Sequence, residues 1–324
     1  MKTIALVFLA VTAYGQQHTD QPVVENGKVE TQAFSGSLAG QLAALGAGPY
    51  WAGYREASVK GHFGTNCFSD DGAVSTVHLE GERELVVLVR VEGGQIAQLR
   101  TVSPDCRLEA GGLRFVWINN VPTVASVAWL KTQVNSAKPD RALSAIALHD
   151  GAAADQALDE FTAPAQNEAI REKAAFWLGN TRGAHGVATL KRMLASDPDE
   201  KVREKVVFAL SQSKEPEGVA LVIDAARNDR DPKVRGQALF WLAQKAGNKQ
   251  AAEVIGHAAT TDPNQAVKER AVFALSQLPK DQGIPLLIAL ARDNADPAVR
   301  KKAVFWLGQS KDPRALEFFA EVLK

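Results

Sequence analysis

Two different patterns of hydrophobic and polar positions divide the chain. From residue 124 onward apolar residues return at helical spacing, which predicts helices with one buried face. Before that point the pattern alternates loosely, and residues 85–91 and 95–102 read as strands around Glu92-Gly93-Gly94, a glycine-containing hairpin turn. Further strands are predicted at 50–59, 75–80 and 113–118, and a short helix at 36–45.

The helical part is an internal repeat. AIREKAAFWLGN, KVREKVVFALSQ, KVRGQALFWLAQ, AVKERAVFALSQ and AVRKKAVFWLGQ align without a gap, and their phenylalanines are 32 or 33 residues apart. Four units open with Asp-Pro, at 197–198, 231–232, 262–263 and 296–297. Because Asp is a good N-cap and Pro suits the first helical position, each pair predicts a helix start. A second helix follows, for example at 218–227 and 284–292, so each unit is a pair of antiparallel helices.

The D-P-x-V-R opening, the small or branched pair three and four residues past the Arg, and the Leu seven past it resemble HEAT repeats. The likeness is to the short form also found in phycobilin-lyase subunits, and covers about residues 138–324. It implies an α-solenoid of about six units, in which the weaker first unit at 140–161 forms the N-terminal cap. The predicted fold is mainly α, with a small β-rich (α+β) N-terminal domain before the solenoid.

The N-terminus predicts export. Lys2 precedes an apolar run over residues 4–11 and small residues follow, which is the layout of a cleavable signal peptide over 1–15, with cleavage after Ala13 or Gly15. The alternative is a buried N-terminal strand. Residues 16–35 are polar and predict a disordered leader, residues 36–135 the β-rich domain, and residues 138–324 the solenoid. A periplasmic or secreted protein is expected.

Cysteine content, charge and hydropathy predict one disulfide and argue against nucleic-acid binding and membrane insertion. In an oxidising compartment Cys67 and Cys106 are expected to form one disulfide, since a reactive thiol or a metal site lacks the neighbouring ligands it needs. The chain has 37 Lys and Arg residues and 37 Asp and Glu residues, so its net charge is zero. This balance argues against nucleic-acid binding. No segment after the signal peptide approaches the roughly 20 apolar residues of a membrane span, so no membrane insertion is expected.

Aromatic residues recur at two adjacent positions of the first helix. A helical wheel places the first set on the buried face, so they are predicted to fill the core, with a ligand platform as the alternative: Trp177, Trp241 and Trp306. The second set falls on the polar face: Phe176, Phe208, Phe240, Phe273 and Phe305. Two interpretations stay open for these phenylalanines, a stacked ladder between adjacent helices and an exposed stripe that binds a protein partner.

A ladder of basic residues marks the same helix: Arg171, Arg203, Arg235, Lys268 and Arg300. We expect it to pair with the Asp of the Asp-Pro openings, and anion binding is the alternative. No catalytic, phosphate-binding or metal-binding motif is found, so no enzyme activity, cofactor or metal is expected. The predicted function is an exported scaffold that binds a protein or peptide, with its oligomeric state open. A tetrapyrrole-handling role like that of phycobilin lyases, or glycan binding by the β-rich domain, are the alternatives.

Overall fold

The computed structural model describes residues 21–59, 67, 84–136, 139–245 and 249–322. The predicted signal peptide, the first residues of the predicted leader and the predicted strand at 75–80 lie outside these residues.

The N-terminal region contains a five-stranded sheet and a two-stranded one. Its elements are β1 (Val24–Glu25), β2 (Lys28–Ala33), α1 (Leu38–Ala44), β3 (Tyr50–Ala57), β4 (Glu84–Glu92), β5 (Gln95–Val102), β6 (Leu108–Glu109), β7 (Arg114–Asn119) and α2 (Thr123–Val134). The larger sheet has the order β2-β7-β3-β4-β5. In this sheet β7 pairs in parallel with both β2 and β3, whereas the pairs β3–β4 and β4–β5 are antiparallel. The predicted hairpin is confirmed, and Gly93 and Gly94 adopt the positive φ angles that its tight turn requires.

One prediction is wrong in this region. Residues 28–33, expected to be part of a disordered leader, form the edge strand β2. Its side chains alternate between half-buried and exposed, so the strand has little hydrophobic signal of its own. Six residues of β2 pair with β7, from Lys28 opposite Arg114 to Ala33 opposite Asn119. The backbone of β7 therefore orders a segment whose composition resembles a linker.

Both faces of the sheet are covered, which explains the continuous apolar run in β4. Leu85, Val87 and Val89 point into a core shared with the helices. Val86 and Leu88 point to the other side, where a smaller cluster packs against β1 and β6. A strand buried on both faces loses the alternation of a half-exposed strand.

Residues 139–245 and 249–322 contain twelve helices in six antiparallel pairs, which we call hairpins. The first hairpin is α3 (Pro139–Leu148) and α4 (Ala152–Phe161). The other first helices are α5 (Glu168–Thr181), α7 (Glu200–Gln212), α9 (Pro232–Gln244), α11 (Gln265–Gln277) and α13 (Pro297–Ser310). Their second helices are α6 (Gly183–Ser196), α8 (Pro216–Asn228), α10 (Lys249–Thr261), α12 (Lys280–Asp293) and α14 (Pro313–Val322). Among the described helices, none is both long and apolar enough to cross a membrane.

The Asp-Pro pairs start helices at two of the four expected places. Asp231 and Asp296 are N-caps, and each side chain accepts a hydrogen bond from a backbone N–H in the first turn. At the other two pairs the helix begins two residues later, with Asp199 and Asn264 as caps. Asp197 and Asp262 instead remain in the preceding loop, where their carboxylates can reach the ladder of basic residues.

The sheet and the hairpins share one continuous hydrophobic core. The predicted domain boundary near residue 135 falls between α2 and α3, yet these two helices pack directly on each other. The end of β3 and the residues just after it also bond to the end of α3 and the loop that follows. Val59 N–H donates to Leu148 O at 3.0 Å, and Asp150 N–H donates to Ala57 O at 2.9 Å. The N-terminal region therefore covers the first hairpin as a cap. The expected disulfide between Cys67 and Cys106 is present.

Candidate partner-binding surface

A ladder of buried ion pairs sets the spacing of the hairpins. Arg203 on α7 binds both carboxylate oxygens of Asp229, with its Nε at 3.0 Å and Nη2 at 3.1 Å. The same two-pronged contact joins Arg171 to Asp197 and Arg235 to Asp262. Each acidic residue lies in the loop that leads to the next hairpin, so each arginine fastens the next unit to its own.

The remaining nitrogen of each of these arginines, Nη1, donates to a carbonyl in the loop before its own helix. Nη1 of Arg203 donates to Asp197 O at 3.0 Å, and Nη1 of Arg235 donates to Asp229 O at 2.9 Å. One guanidinium therefore bridges the loop before its helix and the loop after its hairpin, a geometry that suits the planar fork of arginine. The expected pairing with Asp-Pro residues occurs at Asp197, Asp262 and Asp296, the last with Lys268. Arg203 departs from it by pairing with Asp229, two residues before the Asp-Pro pair.

The ladder changes at its fourth position. Lys268 replaces arginine and lies 3.5 Å from Asp296, while the loop position equivalent to Asp229 is Asn294. Asn294 Oδ1 still accepts the Asp296 N–H at 2.9 Å, so the loop keeps its turn. Its buried Nδ2 has no acceptor among the described residues. Arg300 at the fifth position donates to Asn294 O at 2.7 Å.

The predicted aromatic residues join into one row of rings across the first helices. Its four inter-helix contacts are Phe176 to Phe208 at 6.3 Å, Phe208 to Trp241 at 4.8 Å, Phe240 to Phe273 at 6.2 Å and Phe273 to Trp306 at 5.1 Å. Within helices, each Trp lies edge-on to the Phe before it at 5.0–5.2 Å. We call these eight rings the aromatic stripe: Trp177, Phe176, Phe208, Trp241, Phe240, Phe273, Trp306 and Phe305.

The stripe lies at the boundary between core and solvent. Its residues are half-buried from Trp177 to Trp306, and Phe305 at the end is 53% exposed. The tryptophans differ here from the prediction that they fill the core, because they pack against its edge. Ala209 and Ala274 have the same register in the intervening helices and are completely buried. The space that encloses the methyl group of these alanines is too small for an indole. Trp241 and Trp306 therefore extend along the surface to Phe208 and Phe273.

Two of the tryptophans have an indole N–H that is not used in a hydrogen bond within the described residues. The indole Nε1 atoms of Trp241 and Trp306 are buried, and neither has an acceptor in the described part of the chain. A buried N–H without a partner is costly, so it is usually satisfied by protein or water. The sequence pattern did not indicate these two polar groups within the stripe.

Ion pairs between neighbouring helices border the stripe. Lys201 lies 3.5 Å from Glu168, Lys233 lies 3.3 Å from Glu200, and Lys302 lies 3.6 Å from Glu269. Their side chains are partly or largely exposed, so each pair contributes little to stability.

A concave site opens where α9, α11 and α13 meet. Phe273 and Trp306 contribute rings to a cavity of about 480 Å³, with Lys233, Arg270 and Lys302 among its polar lining residues. The cavity also includes Gly236, at the register where three other first helices carry glutamate: Glu172, Glu204 and Glu269. The missing side chain leaves room for the stem of Arg270, which lies 3.3 Å from where a Cβ of Gly236 would be.

A buried polar network joins the sheet to the hairpins, and sequence reasoning missed it. Tyr54 on β3 bonds to the Ser126 hydroxyl at 2.8 Å, and that hydroxyl bonds to Nε2 of His149 at 2.8 Å. Nδ1 of His149 donates to Ala145 O at 2.6 Å, because a carbonyl can only accept. Burial lowers the pKa of His149 to about 4, so the ring is neutral and Nε2 accepts from Ser126. Ser126 and His149 are wholly enclosed, which makes this pair a structural link.

Similarity to known proteins settles the family. HEAT repeats match residues 154–243, 219–294 and 252–324, which together span just over half of the chain. The chain belongs to the HEAT-repeat family. No curated protein matches it significantly in sequence.

Several solved structures resemble the HEAT solenoid. Human deoxyhypusine hydroxylase in complex with glycerol is 16% identical over 61% of this chain and 90% of its own, with a TM-score of 0.29. The complex of CpcE and CpcF of phycocyanin lyase from Nostoc is 23% identical over 48% of this chain and 98% of its own, with a TM-score of 0.36. YibA of Escherichia coli is 24% identical over 59% of this chain and 70% of its own, with a TM-score of 0.37. At such TM-scores these likenesses carry no inference about activity.

Proposed function

We propose that the protein is an exported scaffold whose HEAT solenoid binds a protein or peptide through the aromatic stripe. The observation that carries this proposal is the unbroken row of half-buried rings across five helices, ending at the exposed Phe305. Aromatic residues are enriched at the centres of protein interfaces, and tryptophan is among the residues that contribute most to their binding energy.

The charges near the stripe favour one kind of partner. The concave site at α9, α11 and α13 is lined by Lys233, Arg270 and Lys302 and by one carboxylate, Glu269. Lys233 and Lys302 already pair with Glu200 and Glu269, and Arg270 adds a further positive charge. Complementary charge aligns a partner and speeds its association. We therefore propose that the bound segment places an apolar side chain on Phe273 and Trp306, flanked by acidic residues.

Site-specific crosslinking in intact cells tests the site. A photoreactive amino acid in place of exposed Lys205, one turn before Phe208, is expected to capture a partner. The matched control is exposed Asp224 on α8, the second helix of the same hairpin, which is expected to capture none. Equal capture at both positions, or none at Lys205, contradicts the proposal.

A variant then measures the contribution of the stripe to affinity. Phe305→Asp is expected to weaken binding of the captured partner at least tenfold, because it removes an exposed ring and adds a charge that an acidic partner avoids. Val124→Asp on α2 changes a residue that is 65% exposed and lies outside the stripe, so it serves as the control. Unchanged affinity of the Phe305 variant would show that the partner binds elsewhere.

The other parts of the proposal have their own tests. Export predicts a mature N-terminus after Ala13 or Gly15, which mass spectrometry of the fractionated protein measures directly. A tetrapyrrole-handling protein is expected to shift the absorbance of added bilin, whereas a scaffold is not. Glycan binding by the β-rich region has less support, because Tyr54 and Trp117 are each only 1% exposed.

A further inference from the structure

A second cavity lies beside the concave site. It has a volume of about 240 Å³ and opens where α11, α12 and α13 meet. Trp306 lines both cavities, so its indole forms a wall between them. The concave site lies towards the start of α13, at Lys302, and the second cavity lies towards its end, at Gln309. We call this second cavity the second subsite.

The second subsite has an apolar interior. Four of its lining residues are buried and apolar: Leu275, Leu278, Ile284 and Leu287. The hydroxyls of Ser276 and Ser310 also line it, but each already donates to a carbonyl of its own helix at 2.7 Å. The volume is several times the roughly 30 Å³ that one water molecule occupies in the liquid, so a side chain has room to enter.

The charge around the second subsite excludes some side chains. Lys280 is the one ionisable residue among the lining residues that the structure describes, and Gln277 and Gln309 contribute neutral amides. A lysine or arginine of a partner would therefore meet no carboxylate here. A carboxylate would have to leave water above an apolar interior, which is unfavourable. An aliphatic side chain such as Leu, Ile or Met suits this lining best.

One extended segment can reach both cavities. Lys302 and Gln309 are seven residues apart on α13, which is about 10 Å along the helix axis. A polyproline II segment has three residues per turn and rises about 3.1 Å per residue. Its residues i and i+3 therefore face the same side, about 9 Å apart. This spacing matches the step across Trp306 from one cavity to the other.

We propose that the second subsite binds an aliphatic side chain of the same partner segment that occupies the concave site. The segment is extended, and this side chain lies three positions from the apolar residue that contacts Phe273 and Trp306. The inference rests on the proposed function and adds a second point of recognition to it. The partner then carries an apolar residue flanked by acidic residues, and a Leu, Ile or Met three positions away.

Selection of random peptides of about 12 residues on the full chain tests the spacing. Enriched peptides are expected to combine an acidic residue, an adjacent apolar residue and a Leu, Ile or Met three positions from the apolar one. Apolar residues at the helical spacings i and i+4 or i and i+7 would overturn the inference. Peptides with a single apolar residue, or the absence of any enriched peptide, would overturn it as well.

Two variants then separate the second subsite from the concave site, with the affinity of an enriched peptide measured by fluorescence anisotropy. Gln309→Trp places a larger side chain at the rim of the second subsite and is expected to weaken binding at least fivefold. Gln244→Trp is the matched control, because Gln244 has the same register on α9, is exposed and is outside the described lining of both cavities. It is expected to leave the affinity unchanged.

Gly236→Glu tests the concave site itself. The variant carries the glutamate that three other first helices have at this register, so it fills the site and is expected to weaken binding at least tenfold. Weaker binding by Gly236→Glu with no change in Gln309→Trp would overturn the second subsite and leave the proposed function standing. Unchanged affinity in both variants would contradict both proposals.

A changed peptide shows whether Gln309→Trp acts through the second subsite. When the aliphatic residue of the enriched peptide is replaced by Ala, the natural chain is expected to bind it at least fivefold more weakly. Gln309→Trp should then bind the Ala peptide as well as the natural chain does, because the side chain that the variant excludes is gone. A further loss of affinity in Gln309→Trp would mean that the variant acts elsewhere, and would overturn the inference.

Discussion

Arg203 binds Asp229 through two hydrogen bonds of 3.0 and 3.1 Å, and the two side chains are 2% and 5% exposed. This pair fastens the hairpin of α7 and α8 to the loop that begins the next hairpin. A burial this complete makes the pair sensitive to the loss of either partner, since the remaining charge has no water to solvate it.

Removing the guanidinium is expected to destabilise the solenoid strongly. Arg203→Met should lower the free energy of unfolding by about 3–5 kcal/mol, because Asp229 stays buried without its partner. Urea unfolding followed by circular dichroism measures the loss. Lys205→Met on the exposed side of the same helix is the control and should change stability by less than about 0.5 kcal/mol. Similar losses in both variants would contradict a structural role for the buried pair.

Completing the ladder at its fourth position is expected to stabilise the protein. Lys268→Arg with Asn294→Asp recreates the Arg–Asp pair and removes the buried Nδ2 that has no acceptor among the described residues. We expect the double variant to gain about 1–2 kcal/mol in the same urea experiment. Each single variant should gain less, because it supplies only one partner. A double variant less stable than the natural chain would mean that Lys268 and Asn294 already fit their site.

Two buried groups give opposite contributions to stability as pH changes. Burial lowers the pKa of His149 from 6.5 to about 4, so its contribution is complete above pH 6.5 and is lost as the pH falls towards 4. Burial raises the pKa of Glu56 from 4.5 to about 7, so its contribution is complete below pH 4.5 and is lost as the pH rises towards 7. Between pH 4.5 and 6.5 the two effects nearly cancel.

Glu56→Gln is expected to expose the effect of His149. Gln can still accept the hydrogen bond from Thr123, which Glu56 Oε2 accepts at 2.8 Å. Relative to the natural chain, the variant should lose about 2 kcal/mol between pH 6.5 and 4.5, because only His149 then takes up a proton on unfolding. Unfolding in urea at these two pH values measures the difference. Glu253→Gln, at an exposed site, should show the pH dependence of the natural chain.

The disulfide is expected to contribute substantially to stability. Cys67 and Cys106 are 39 residues apart, and closing a loop of that length restricts the unfolded chain by about 4 kcal/mol in the entropy model. Cys67→Ser with Cys106→Ser should therefore lower the melting temperature of the N-terminal region. The natural chain in excess dithiothreitol should show the same loss. A melting temperature unchanged by both treatments would rule out this stabilising effect.

Interactions within one hairpin, and between one hairpin and the next, could be predicted from the sequence. The HEAT hairpins repeat every 32 or 33 residues, and each contacts mainly its neighbours, so the position of Val207 in one helix predicts that of Val272 two repeats later. Hydrophobic spacing and glycine turns also predicted the helices and the hairpin of β4 and β5. The pairing of Cys67 with Cys106 was predictable because only two cysteines exist.

Contacts between distant segments were decided by the tertiary structure alone. β2 became a strand because β7 pairs with it, and Asp229 rather than Asp231 faces Arg203 because the loop turns two residues before the helix begins. Tyr54, Ser126 and His149 form a hydrogen-bonded chain although nearly 100 residues separate the first from the last, and no sequence motif marks them. The exposure of Phe305 and Val304 follows from their place on α13, beside which the described residues contain no further hairpin. Local periodicity determines which face of a helix is apolar, but only packing determines what covers it.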